Sequence, residues 1–210
     1  MEEKFYEEET LDLREIFDLL MSRKWLIICV AVFGFVFAFG YTKLCIPYQF
    51  TASVSMYVKN ATNKTAVDIV NQSDITAAQQ LAATCIEILS DDVVSDAIGE
   101  KLIENYTPEE LAPYFLLEES DEGYKISTGS ISSKVGYSTV NETELIRITA
   151  TCGNPIIAAD MCNYVTEIAP DILIRVVGAG AVEAVGEAKV PMAPSAPSAA
   201  KNSAIGFALG

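Results

Sequence analysis

Hydrophobic residues are most concentrated near the start of the chain. Trp25 to Thr42 is a run of 18 residues without an Asp, Glu, Lys, Arg or His side chain, close to the ~20 apolar residues that a helix needs to cross a bilayer. Trp25 and Tyr41 stand at its two ends, and such rings prefer the headgroup level. We therefore predict a membrane-spanning helix over residues 25–46, in which the Lys43 ammonium extends to the interface.

Further along the chain, four stretches predict β-strands. Residues 49–58 and 143–151 alternate apolar and polar side chains with a period of two, the pattern of a strand with one buried face. Residues 182–190 alternate in the same way, and residues 124–138 are rich in Ser, Gly and β-branched residues. These stretches provide the strands of the predicted fold.

The segments between them predict helices. Apolar residues at steps of three and four indicate an amphipathic helix over residues 75–89, capped by Asp74, and a second over residues 91–106. Thr107-Pro108-Glu109-Glu110 combines a capping box with proline at the first helical position, which predicts a short third helix. Asn154-Pro155 opens a later helix that Pro170 interrupts or restarts. Loops are expected at residues 60–73 and 178–180.

This order of elements, β, α, α, β, β, α, β, predicts an α/β sandwich seated on a membrane and covering residues 47–190. A Pro-rich linker follows at residues 191–203, and residues 204–210 begin a new apolar run. Seven residues are too few to span a bilayer. We expect them to be the truncated start of a second transmembrane helix.

The distribution of charge predicts the orientation. Asp and Glu number 29 against 14 Lys and Arg, a net charge of -15, which argues against nucleic acid as a partner. Arg23 and Lys24 precede the span, whereas Lys43 alone follows it, so we place residues 1–24 in the cytoplasm and the main domain outside. These first 24 residues contain eight acids and four bases, unlike a cleaved signal peptide. A permanent anchor in the cell membrane is predicted.

Residues for catalysis are scarce. The chain has no histidine, which excludes Ser-His-Asp and Cys-His catalysis and histidine metal sites, and it has no phosphate-binding Walker loop. The acidic pairs Asp91-Asp92, Glu109-Glu110 and Glu118-Glu119 are interpreted as solvated surface, because neighbouring helical residues do not face each other. We predict a protein that is not an enzyme and has no cofactor or metal.

Four cysteines, Cys45, Cys85, Cys152 and Cys162, follow the first span and would face the outside, where disulfides can form. Cys85 and Cys162 fall on apolar helix faces, which favours buried free thiols. No required disulfide is predicted.

Small residues occur at helical spacing in both apolar segments. Gly34 and Ala38 form such a pair in the first, and Gly206 and Gly210 form a GxxxG in the second. This spacing lets helices approach closely in lipid. It predicts that helices pair within the membrane.

Several features together resemble the Wzz-type polysaccharide co-polymerases, in particular the Gram-positive chain-length determinants that modulate a bacterial tyrosine kinase. They are the amphipathic LDLREIFDLLMSRKW before the span, PYQFTAS at residues 47–53, Asn154-Pro155, and AKVPMAPSAPS with Lys201-Asn202 before the second apolar run. The chain is too short for the long external hairpin of the Gram-negative relatives.

The resemblance implies a regulator of the length and export of a capsular or exopolysaccharide. Its implied partners are a cytoplasmic tyrosine autokinase, a polysaccharide polymerase, the growing glycan, the membrane and further copies of the chain. Together with the small-residue pairs, the resemblance implies assembly of copies into a ring, to which Gly34 and Ala38 would contribute. The apolar stripe of residues 11–20 would lie on the lipid surface or contact the kinase. A membrane-tethered sensor or adhesion module, unrelated to glycan assembly, is the alternative.

Overall fold

The computed structural model of the chain describes residues 21–59, 72–120, 123–141, 143–177 and 181–209. The chain divides into two compact units, one formed by Met1–Pro47 with Pro197–Gly210 and the other by Tyr48–Ala196. The expected pre-membrane stripe, the turn at residues 178–180, Gly210 and most of the loop expected from residue 60 lie outside the described residues.

Six strands and seven helices are described. In chain order they are α1 (Lys24–Cys45), β1 (Phe50–Lys59), α2 (Gln72–Leu89), α3 (Asp92–Asn105), α4 (Pro108–Leu111), β2 (Leu117–Ser120), β3 (Gly123–Ile126), α5 (Thr128–Ser132), β4 (Val135–Thr139), β5 (Leu145–Cys152), α6 (Pro155–Val177), β6 (Ala181–Ala184) and α7 (Ala199–Leu209). The predicted mixture of helices and strands is confirmed.

The second unit is built on a four-stranded antiparallel sheet with strand order β4-β5-β1-β6. Val54 of β1 stands opposite Ile148 of β5, and Met56 stands opposite Ile146. All four side chains are buried, whereas Thr51 and Ser53 on the other face of β1 are exposed. The sheet therefore has one apolar face and one polar face, as its period of two requires.

Helices cover the apolar face. α2 contacts β1, β4 and β5, and α6 contacts β1, β5 and β6. α3 packs against α6, α5 and β3, and the small β2–β3 hairpin stands apart from the main sheet. Ile157 and Met161 of α6 are fully buried, so the core lies between the sheet and its helices.

Short sequence motifs correctly predicted the starts of several helices. The Asp91 carboxylate accepts a hydrogen bond of 3.1 Å from the Val93 N–H at the start of α3. The Glu110 carboxylate accepts bonds of 2.9 Å from both the backbone and the hydroxyl of Thr107, which confirms the capping box. Asn154 precedes α6, where its Oδ1 accepts from the Ile156 N–H.

Four expectations need correction. Asp74 does not cap α2, because Gln72 and Ser73 are already helical. Pro170 lies inside α6, which continues to Val177. Residues 124–138 form β3, α5 and β4 rather than one strand, and β3 pairs with β2, which the sequence pattern did not predict. The strand expected over residues 182–190 ends at Ala184.

The early end of β6 has a local cause. Gly186 takes a positive φ of 96°, a conformation that glycine adopts without strain. Beyond it, the Ala188 N–H donates to the Asn163 Oδ1 of α6 at 2.8 Å. The backbone therefore turns from the sheet towards a helix.

The two ends of the α/β domain are joined. The Gln49 N–H donates to the Ala196 carbonyl at 2.8 Å, and the Ser195 N–H donates to the Gln49 carbonyl at 2.8 Å. The hydroxyls of Thr51 and Ser195 are 2.8 Å apart. Residues 195–196, expected to be linker, therefore belong to the edge of the domain.

Candidate functional site

In the first unit, α1 and α7 form a helix pair whose contact depends on small residues. A Cβ atom added to Gly206 would lie 2.5 Å from the Ala38 Cβ and 2.7 Å from the Gly34 carbonyl oxygen. Neither distance is tolerated, so only glycine permits this approach. The structure thus brings together Gly34, Ala38 and Gly206 within one chain, while Gly210 lies outside the described residues.

A polar contact, not anticipated from the sequence, joins the same two helices. The Asn202 Nδ2 donates to the Thr42 Oγ1 at 3.2 Å, and Thr42 is only 3% exposed. On α7, one turn before Gly206, the buried Ser203 hydroxyl donates to the Ala199 carbonyl of its own helix at 2.6 Å. In the sequence, Lys201-Asn202 contributes only to the family resemblance.

The outward side of the helix pair is apolar and aromatic. Phe33 and Phe37 stack with ring centroids 6.3 Å apart, and both are largely exposed. Val32, Phe35, Ala204 and Phe207 line a shallow apolar groove of about 450 Å³. In water such a surface is unfavourable, whereas hydrocarbon chains of lipid would cover it without cost.

Among the described residues, α1 is the one helix long and apolar enough to cross a membrane. Trp25 and Tyr41 are both exposed near its ends, and the Lys43 Nζ lies 5.7 Å from the centre of the Phe39 ring. Arg23 and Lys24 are exposed at its beginning. The chain therefore has the anchor of a membrane-associated protein.

In the α/β domain, the acidic pairs have structural or surface positions. Asp91 and Glu110 cap helices, and the two bonds from Thr107 lower the pKa of the Glu110 carboxyl. Glu118 and Glu119 are on β2, opposite Lys125 and Tyr124 of β3. The described residues contain no group of His, Cys, Asp or Glu suited to a metal ion.

Two polar contacts hold α3 against α6. The Tyr106 hydroxyl donates a short hydrogen bond to the Asp160 carboxylate, and burial together with this bond raises the pKa of the phenol. The Lys101 ammonium pairs with the Glu167 carboxylate at 2.8 Å, which raises the pKa of the lysine. Both contacts position helices.

A cleft beside the β2–β3 hairpin carries several carboxylates. It has a volume of about 380 Å³ and is lined by Asp96, Glu100, Ile103, Glu104, Gly123, Tyr124 and Lys125. Asp96 already accepts from the Thr128 hydroxyl and pairs with the Lys125 ammonium at 3.3 Å. The acidic cluster is therefore partly satisfied from within the domain.

The cysteines divide by location. Cys85, Cys152 and Cys162 are buried free thiols of the α/β domain, and Cys29 and Cys45 are exposed on α1. Burial raises the pKa of the Cys162 thiol to about 12. The expected burial of Cys85 and Cys162 on apolar helix faces is confirmed; the absence of a required disulfide stays a prediction.

Comparison with known proteins matches the region from the pre-membrane segment to α3. Residues 9–102 match the family model of the chain length determinant protein, Wzz. The chain is 26% identical over 201 residues to the capsular polysaccharide biosynthesis protein CpsC of Streptococcus pneumoniae, an alignment covering 95% of this chain and 78% of that protein. A CpsC of Streptococcus agalactiae is 26% identical over 198 residues, covering 93% and 76%. These comparisons confirm that the chain resembles the Wzz-type chain length determinants of capsular polysaccharide biosynthesis.

Proposed function

We propose that this chain is a membrane-anchored, non-enzymatic co-polymerase that regulates the chain length and export of a capsular or exopolysaccharide. The observation that carries the proposal is the match of residues 9–102 to the chain length determinant model, because this region includes α1, β1, α2 and most of α3. Relatives that align along nearly the whole chain are named capsular polysaccharide biosynthesis proteins.

Action through contacts rather than catalysis is part of the proposal. The sequence has no histidine, and the acidic pairs considered as acid–base candidates serve as helix caps or lie on the surface. General acid–base catalysis needs a titratable group within reach of a reacting atom. No described cluster offers that arrangement with a nucleophile.

The proposed topology has two spans, with residues 1–24 in the cytoplasm and the α/β sandwich of residues 47–190 outside. Arg23 and Lys24 support this orientation through the positive-inside rule. Two observations support a hairpin of spans: α7 packs on α1 through Gly206, and Gln49 and Ala196 join the two ends of the domain. Residues 204–210 would then lie in the membrane beside α1.

The proposed partners follow from the family resemblance. They are a cytoplasmic tyrosine autokinase, a polysaccharide polymerase, the growing glycan and further copies of the chain. Because Gly34 and Ala38 already contact Gly206 of the same chain, self-association would use the outer, aromatic sides of the helices or the α/β domain. The Gly34–Ala38 pair, which was expected to join separate copies, is therefore assigned to packing within the chain.

Deletion of the gene in its host tests the proposal. We expect the length distribution of the surface polysaccharide to change and tyrosine phosphorylation of the kinase to fall, with both restored by the wild-type gene. If the deletion leaves both unchanged, the proposal is wrong, and the alternative of a sensor or adhesion module gains support.

A matched pair of variants tests whether the helix pair takes part. Gly206→Ala places a methyl group against Ala38 and Gly34, whereas Gly40→Ala on the same helix pair places one in space with nothing within 4 Å. Both changes favour helix formation to the same extent, so they differ in packing. We expect Gly206→Ala, but not Gly40→Ala, to complement poorly.

A further inference from the structure

One end of the α/β domain, which we call the basal end, carries both the entry and the exit of its chain. There the start of β1 meets the end of β5, with Phe50 standing opposite Cys152. The bridge between Gln49 and Ala196 adds the last residues of the domain. The basal end therefore consists of residues 48–51, 134–135, 151–156 and 189–196.

Chain connectivity keeps the basal end close to the membrane anchor. Helix α1 ends at Cys45, and three residues of extended chain reach at most about 11 Å. Tyr48 therefore lies within that distance of the end of α1. At the other end of the domain, Ala196 is three residues before Ala199, where α7 begins. A lipid surface around α1 is thus within reach of the basal end.

The basal end exposes four large apolar side chains. Tyr48, Ile156 and Val190 are about half exposed, and Met192 is completely exposed. Single apolar residues on a surface are ordinary, but several at one end of a domain indicate an interaction surface. These four come from the start of β1, from the first turn of α6 and from the final segment, so the fold brings them to one end.

The basal end also lacks acidic residues, although the chain has 29 Asp and Glu against 14 Lys and Arg. None of its four segments contains Asp or Glu, whereas they include Lys134 and the exposed Lys189. The first acid after β5, Asp160, accepts a hydrogen bond from the Tyr106 hydroxyl. Anionic headgroups attract lysine near a membrane surface and repel carboxylates, so this distribution of charge favours a lipid surface as the partner.

The backbone of the final segment suits surroundings that are poor in water. Pro191 and Pro194 have no N–H group. The N–H groups of Ser195 and Ala196 both donate to the Gln49 carbonyl, at 2.8 and 3.3 Å. An N–H group without a partner is costly away from water, and this segment has fewer of them to desolvate than an ordinary loop.

We propose that the basal end lies in the headgroup layer of the membrane that holds α1. Tyr48, Ile156 and Met192 extend towards the acyl chains, and Lys134 and Lys189 contact anionic headgroups. A tyrosine ring prefers this level of a bilayer. Lipid contact then sets the orientation of the domain, in addition to its two covalent links. The inference needs the membrane anchor but no glycan or kinase, and so it goes beyond the proposed function.

Fluorescent labels on single cysteines test this contact, with the full chain in lipid nanodiscs and Cys29 and Cys45 replaced by Ala. An environment-sensitive nitrobenzoxadiazole label is attached to Ile156→Cys or to Met192→Cys. Ile174→Cys is the control, because Ile174 is also exposed but lies about 27 Å from Ile156 along α6. We expect a blue shift and quenching by lipids brominated high on their acyl chains at both basal sites, and neither at the control site.

Two changes of charge test the cause of the contact. Met192→Glu should reduce the quenching of the label at position 156, because a carboxylate loses its hydration among acyl chains. Ile174→Glu, which changes the net charge equally, should leave the quenching as it is. Lys189→Gln should reduce the quenching in nanodiscs of anionic lipid but not in those of neutral lipid.

Three results would overturn the proposal. Water-like emission at either basal site would show that this site is exposed to solvent. A blue shift without quenching by brominated lipid would show that protein, such as a second copy of the chain, covers the basal end. Equal quenching at the control site would show that the contact is not specific to this end. Such a failure removes the lipid contact alone, whereas unchanged polymer in the deletion strain would remove the proposed function.

Discussion

Met56, Ile146 and Ile148 of the α/β domain are fully buried, whereas Trp25, Phe33 and Leu44 of the helix pair are 74%, 71% and 87% exposed. The buried contact of the helix pair consists of small or weakly polar residues, including Gly206 and Thr42. In water, burial of large apolar side chains drives folding. In lipid that drive is absent, and close packing with hydrogen bonds takes its place. Burial of large apolar side chains therefore stabilises the α/β domain, whereas close packing of small residues stabilises the helix pair.

The largest predicted effect is on the rate at which a buried thiol of the α/β domain reacts, compared with an ordinary exposed thiol. Cys162 is buried with a pKa of about 12, and thiolate is the reactive form. At pH 8 it should react roughly a thousandfold more slowly than an ordinary cysteine of pKa ~8.5. Because the pKa is raised, its labelling should increase as the pH rises towards 12. Peptide mapping after maleimide treatment measures this.

Cysteines added at the surface test the proposed orientation of the chain in the membrane. Ser133→Cys, at an exposed position, should be labelled by an impermeant maleimide in intact cells, whereas Glu7→Cys should be labelled only after the membrane is opened. The reverse pattern would invert the proposed topology. Rapid labelling of Cys162 in the folded protein would contradict its burial.

Truncation of a core residue should destabilise the α/β domain far more than truncation of a large outward residue of α1. Ile148→Ala removes a fully buried side chain from the central sheet and should cost about 2–5 kcal/mol of unfolding free energy. Phe33→Ala should change it by less than about 0.5 kcal/mol, as at surface sites. Urea unfolding followed by circular dichroism measures the unfolding free energy of both variants. Equal losses would contradict the proposed difference between the two units.

Gly206→Ala should open the helix pair at a cost of about 1–3 kcal/mol, the usual range for overpacking. The cross-linking yield between cysteines placed at Val32 and Phe207, which line one groove, measures the separation, with Cys29 and Cys45 replaced by Ala. The matched variant Gly40→Ala should leave the yield unchanged. A lower yield in both variants would mean that the loss is not specific to the Gly206 contact.

Loss of the interhelical hydrogen bond should have the smallest effect. Thr42→Val keeps the shape of the side chain but removes the oxygen that accepts from Asn202. Such bonds in membranes average ~0.6 kcal/mol, with a maximum of ~1.7, so the cross-linking yield should fall only slightly. Thr42→Ser, which keeps the hydroxyl, should match the wild type; a loss in Thr42→Ser as large as in Thr42→Val would assign the effect to packing.

Much of the domain was determined by local sequence. The period of two over residues 49–58 and 143–151 identified the central strands β1 and β5, because a sheet with one buried face requires it. Thr107-Pro108 and Asn154-Pro155 marked helix starts, because caps satisfy N–H groups within a few residues. The apolar run from Trp25 likewise identified α1 by its length and composition alone.

Tertiary contacts decided the segments with weak local preference. Residues 124–138 form β3, α5 and β4 because Ile126 and Ile131 are buried near Gly99 of α3. A Cβ atom added to Gly99 would lie only 3.0 Å from the Ile131 Cδ1. The backbone leaves the sheet after Val185, whose N–H still donates to the Ser55 carbonyl of β1, and the Asn163 side chain of α6 then accepts from the Ala188 N–H. Neither partner is close in sequence, so no periodic pattern could reveal it.

The same distinction applies to the candidate sites. The spacing of Gly34, Ala38 and Gly206 indicated that they could support close helix packing, but a small-residue pair does not specify its partner. Only the tertiary structure showed that these three residues contact one another within the same chain.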